Sequence, residues 1–150
     1  MFSFYIVLKF IHILAAITAV GANITYGVWN ARVGNEPSHA AFALKGIKFI
    51  DDRIANPSYG VVLITGLLMI FAGNWGFKLW IVLALILFAV LIAGGVTYTI
   101  SLRNQVKLAD SGDVTSSAYQ ALDRRTAIIG ASLAVPVLLI LVMMVFKPTL

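Results

Sequence analysis

Residues 79–102 read LWIVLALILFAVLIAGGVTYTISL, and this stretch decides the fold. It carries no charged side chain and exceeds the roughly 20 apolar residues that take an α-helix across a bilayer. Three further stretches meet the same test, at about 4–29, 57–77 and 126–146. The whole chain of 150 residues is 61% hydrophobic and 11% charged, with mean hydropathy +0.97. Ordinary soluble domains are about 25% charged, so a soluble globular protein is excluded. The sequence therefore predicts an all-α fold: a single four-transmembrane-helix domain over residues 1–150. The run at 4–29 has Lys9 inside it and no basic segment before it, which predicts a retained span rather than a cleaved signal peptide.

The segments between the spans carry their own signals. Asn56-Pro57 reads as cap and first turn of the second helix, and residues 74–78 as a tight turn into the third. The third helix is predicted to continue through Arg103 and Lys107 until Ser111-Gly112-Asp113 breaks it, with Thr115 capping a fourth helix that starts before its span. Together these make a helical hairpin projecting from the bilayer. In the first loop, Ser38 can cap a helix reaching about Ile54, with Phe42, Ile47, Ile50 and Ile54 on one side and Lys45, Lys48 and Asp52 elsewhere. That pattern predicts an interfacial amphipathic helix.

Charge sets an expected orientation. Eight of the eleven basic residues (Arg32, Lys45, Lys48, Arg53, Arg103, Lys107, Arg124 and Arg125) fall in the first and third loops. Lys and Arg collect on cytoplasmic loops, so both termini are expected outside, with Trp75 and Trp80 at the outer interface and Tyr26, Trp29 and Tyr98 at the inner one. The net charge of +5 is thereby accounted for by topology, and no nucleic-acid partner is implied. No cysteine is present, which removes disulfides and thiolate chemistry.

The first helix holds the chemistry. Steps of four and three place Tyr5, Lys9, His12, Ala16, Ala19, Asn23 and Tyr26 on one stripe, surrounded by Ile and Phe. This polar and small stripe is expected to face the bundle, since Asn23 in lipid would leave its amide without partners. His12 lies below the interface, where an ionisable side chain marks a functional site by default. Lys9, one turn outward, can snorkel, or can hold an anionic group beside the imidazole, as a haem propionate requires. A six-coordinate haem b ligated by His12 needs a second axial ligand, commonly His or Met, whereas a five-coordinate iron needs none. His39 is too distant, whereas Met69, Met143 and Met144 lie near the depth of His12, and a second copy of the chain is a further source. The candidate cofactor residues are thus His12, Lys9, Asn23 and Met69, with His12 the metal ligand; no catalytic residue is assigned. Gly66, Gly94-Gly95 and Gly130 read as helix-packing positions, and Pro136 as a kink that frees the Ser132 carbonyl. There is no HExxH, no phosphate-binding glycine loop and no carboxylate inside a span, and the last absence argues against a proton-coupled transporter.

Leu8-Lys9-Phe10-Ile11-His12-Ile13, with the small residues that follow to Gly21, resembles the first helix of a group of bacterial four-helix membrane proteins. That group includes the oxygen-independent membrane protoporphyrinogen oxidases and the copper-resistance D proteins. Asp52-Arg53-Ile54-Ala55-Asn56-Pro57 leading to Thr65-Gly66, and Met143-Met144-Val145-Phe146-Lys147-Pro148, look closest to an uncharacterised family of predicted integral membrane proteins within it. The resemblance implies a bacterial inner-membrane location. It also implies haem or porphyrin binding at Lys9 and His12 with a redox role, because the oxidases carry a lysine three residues before a histidine there. Their Asn-Glu-x-Pro-like motif at the last helix is missing from residues 125–136, so the oxidase activity does not carry over. The copper-resistance relatives imply copper as another partner for His12. The competing expectation is a non-enzymatic membrane protein in which a neighbour satisfies His12.

Overall fold

A computed structural model describes residues 3–148. The chain forms α1 (Phe4–Asn35), a 3₁₀ turn (Pro37–His39), α2 (Ala40–Ile50), a π-helical turn (Asp51–Ala55), α3 (Asn56–Ala72), α4 (Leu79–Asp110) and α5 (Ser117–Phe146). No strand occurs among the described residues. Four helices are long and apolar enough to cross a membrane: α1, the continuous rod from Pro37 to Ala72, α4 and α5.

Local chemistry explains the ends. After α3, Asn74 takes φ 50° and the Trp75 N–H donates to the Ile70 carbonyl at 3.1 Å, a left-handed stop that ends the helix at Ala72, short of the expected 77. After α4, Gly112 takes φ 81° and the Asp113 N–H donates to the Leu108 carbonyl at 3.0 Å, which breaks the chain where the sequence predicts it. The cap of α5 is Ser116 rather than Thr115; its Oγ accepts from the Tyr119 N–H at 3.1 Å.

The helices pack as two close pairs, α1 with α3 and α4 with α5. Small residues permit the approach: Gly66 lies against His12, Gly94 against Leu133 and Gly130 against Tyr98. Between the pairs the contact runs through long side chains. Tyr26 stacks on Tyr98 with ring centroids 5.9 Å apart, and Tyr59 meets Phe88 edge-on at 6.2 Å. At the Trp75 end, Trp75 and Trp80 cross edge-to-face, and the Lys147 ammonium lies over both rings.

The main core is at the opposite, basic end. It comprises Ala22 and Tyr26 of α1, Leu44 and Ile47 of α2, Ala55, Tyr98, Leu102 and Ala109 of α4, and Tyr119 of α5. This changes the reading of the first loop. The loop helix exists, but it runs straight on into α3 and packs against both α1 and α4, burying Ala40, Ala43, Leu44 and Ile47. Phe42, expected on the apolar face, is 75% exposed, whereas Ile47 is 0% exposed. Asn56 caps nothing, because the backbone is already helical on both sides of it.

Candidate functional site

The face that α1 presents to the protein runs through Leu8, Ala15, Ala19, Ala22 and Tyr26, with His12 and Asn23 half-buried on its flanks. It has the expected period, but its centre is turned by about one residue. Lys9 is exposed, and Leu8 and Ala15 are the buried neighbours of His12 instead of Lys9 and Ala16.

α3 positions His12. The imidazole Nδ1 is 2.9 Å from Thr65 Oγ1, which in turn lies 2.6 Å from the Val61 carbonyl oxygen. A threonine has one proton to give. If that proton goes to the Val61 carbonyl, Nδ1 carries the hydrogen and donates to Thr65; if it goes to Nδ1, the ring hydrogen sits on Nε2. The Val62 carbonyl is a further hydrogen-bond partner within reach of the imidazole. The edge of the ring fills the place of a side chain on Gly66, where an added Cβ would sit 3.2 Å from Cε1. The ring is therefore fixed in position. With the hydrogen on Nδ1 this is the arrangement by which an outer hydrogen bond prepares a histidine to ligate a metal through its other nitrogen.

The other candidate residues are distributed unevenly around His12. Met69 is half-buried one turn beyond Thr65 on α3, and in the antiparallel register set by Tyr5 against Gly73 and His12 against Thr65 it falls level with Leu8 and Lys9. Met143 and Met144 pack with Ile70, Trp80 and Ile81 toward the same end. Asn23 is three turns away, about 16 Å along α1. Its amide donates to the Tyr59 hydroxyl, so it faces protein as expected but belongs to another cluster. Near His12 the protein thus offers one imidazole and, a turn further along α3, one thioether. No group of three or more His, Asp or Glu suited to a metal occurs among the described residues, so a copper site has little to build on. Two open cavities of about 180 and 440 Å³ lie around Trp29 and Arg32; neither is lined by His12 or Met69.

A second polar centre was not expected from the sequence. Asp51, assigned to the loop, is 5% exposed. Its carboxylate accepts from Thr99 Oγ1 at 2.8 Å, from Tyr26 Oη at 3.3 Å and from Asn56 Nδ2 at 3.3 Å. Tyr26 and Thr99 lie near the inner-interface ends of the apolar stretches 4–29 and 79–102, and Asp51 is drawn in to their level from the loop side. The π-helical turn that starts at Asp51 sets its direction, and such turns recur at functional positions. A signal was legible, since Asp51 follows Leu44 and Ile47 at spacings of three and four on the apolar stripe of α2.

No curated protein and no solved structure matches this chain. A family model, described as a predicted integral membrane protein, matches residues 6–148. The length, apolarity and packing of the four helices agree with that description. The chain belongs to this family of integral membrane proteins, DUF2269.

Proposed function

We propose that this membrane protein binds haem or a porphyrin at His12, on the α1–α3 side of the bundle, and serves redox chemistry in the membrane. The observation that carries the reading is an imidazole inside the apolar stretch 4–29, held through Nδ1 against Thr65 of α3. An ionisable ring at that depth needs a partner or a function. His12 would supply the axial bond and Met69, one turn beyond Thr65 on α3, a thioether, while exposed Lys9 would meet a propionate from the flank. The bound group would supply one-electron chemistry; the protein supplies orientation and exclusion of water.

The protein is expressed with ample haem, purified, and its visible spectrum recorded. The wild type is expected to show a Soret band that His12→Ala removes and Lys9→Ala weakens less, since the lysine loses a charge partner rather than an iron bond. Colourless wild-type protein would overturn the reading. The contact between His12 and Gly66 favours a second, non-enzymatic reading, in which the imidazole bolts α1 to α3 and nothing else is bound. That reading expects colourless protein and a stability loss of about 1–3 kcal/mol in His12→Ala, through the group left unpaired.

The basic end, with α2 and the α4–α5 turn, is proposed to face the cytoplasm of a bacterial inner membrane, which leaves both termini outside.

A further inference from the structure

The buried carboxylate at the opposite end of α1 is independent of His12. We propose that Asp51 is an exchangeable monovalent-cation site, taking H⁺ or Na⁺ from the basic end of the bundle.

Charge balance is the first argument. Asp51 makes no ion pair among the described residues: Lys48 is paired to Asp52 and Lys45 to Asp110, and Arg53, two residues on, forms none with it. All three of its partners are neutral donors. Neutral hydrogen bonds temper the cost of burying a carboxylate but do not cancel its charge, and a buried charge without a counter-charge is strongly disfavoured. A small cation supplies what the side chains do not.

The donor set is the second. Two carboxylate oxygens, the Tyr26 and Thr99 hydroxyls and the Asn56 amide oxygen are hard oxygen atoms of the kind that hold small cations. Each hydroxyl can rotate from donating to the carboxylate to presenting a lone pair to an ion, and the Asn56 amide can turn over, so no backbone motion is needed. Two of the three bonds to the carboxylate are long, at 3.3 Å, and cost little to exchange.

A third observation comes from the neighbouring residue. The Tyr98 hydroxyl is buried with no hydrogen-bond partner, although the Tyr98 ring is stacked within 7° of parallel on Tyr26 and Tyr98 precedes Thr99 in the chain. Buried hydroxyls are almost always paired, and this unpaired one belongs to a ring stacked on Tyr26, itself a donor to Asp51, so the polar layer around the carboxylate has a further oxygen to offer an ion. The titratable and charged groups around Asp51 are Tyr26 on α1, Asp52 and Arg53 on its own turn, Lys48 on α2, Tyr59 on α3 and Tyr98 on α4. None of them is a cation paired to Asp51.

Infrared difference spectroscopy of the full chain in lipid nanodiscs reads the site directly. The carboxylate and protonated-carboxyl bands are followed from about pH 5 to about pH 9, with and without Na⁺ at constant ionic strength. A band change with Na⁺ at fixed pH identifies sodium, and one with pH alone identifies the proton; either supports the site, provided Asp51→Asn abolishes it. Tyr26→Phe keeps the ring stack and Thr99→Val keeps the shape, so both are expected to fold, and each should shift the midpoint about tenfold in cation activity. A spectrum with no Asp51 band change under any of these conditions overturns the proposal, as does a response that persists unchanged in Asp51→Asn.

Discussion

At the residue scale, the chain Val61 carbonyl, Thr65 hydroxyl, His12 imidazole fixes more than any single member does. Thr65→Val keeps the shape of the side chain but removes the hydrogen-bond partner of Nδ1. It should cost about 1–3 kcal/mol in thermal unfolding in detergent, the usual penalty for stranding a buried polar group. Under the haem reading the same variant should also weaken the Soret band, because the ring then loses the bond that orients it. Gly66→Ala tests position instead of protonation. Its Cβ would meet Cε1 at 3.2 Å, so the ring must move by a few tenths of an ångström, and the expected loss is smaller than for Thr65→Val. Gly66→Leu, with no room to give, should separate α1 from α3 and destabilise the protein outright. If Gly66→Leu unfolded at the wild-type temperature, the close contact of His12 with α3 would be wrong.

At the element scale, α2 packs one edge, Ala40, Ala43, Leu44 and Ile47, into the helical core. An interfacial helix would lose little from truncating a single apolar residue. Here Ile47 is fully enclosed by α1 and α4, and Ile47→Ala should cost about 2–4 kcal/mol, whereas Phe42→Ala should cost under about 1 kcal/mol. Chemical denaturation of the two variants side by side decides between the two placements. The amphipathic pattern was readable from sequence, but its buried edge was not, because Phe42 and Ile47 are equally apolar and only the neighbours of α2 distinguish them. Capping is more local. Ser116→Ala removes the side-chain bond to the Tyr119 N–H and should cost about 1 kcal/mol, visible as faster amide exchange in the first turn of α5.

At the scale of the whole molecule, two closely packed helix pairs are joined through α2, the π-helical turn and a row of tyrosines, with the best-formed core toward the basic end. With no native cysteine to interfere, single cysteines at Ser111 and Lys147 allow a clean test of the proposed orientation. A membrane-impermeant thiol reagent added outside intact cells should label position 147 and spare position 111, and the reverse pattern would invert the topology. The sequence by itself determined the all-helical class, the four long apolar segments and the turns at Asn74 and Gly112. Apolar length and the φ preferences of Asn and Gly are properties of a short stretch of chain and need no partner. It also singled out His12. Tertiary structure alone decided that Thr65 is the partner of His12, that Lys9 stands outside the packed face, and that Asp51 is drawn in among Tyr26, Asn56 and Thr99. The physical reason is that rotation about a helix axis and register between helices are set by contacts many residues apart in sequence. A turn of about 100° per residue moves a side chain from lipid to core without altering any local signal.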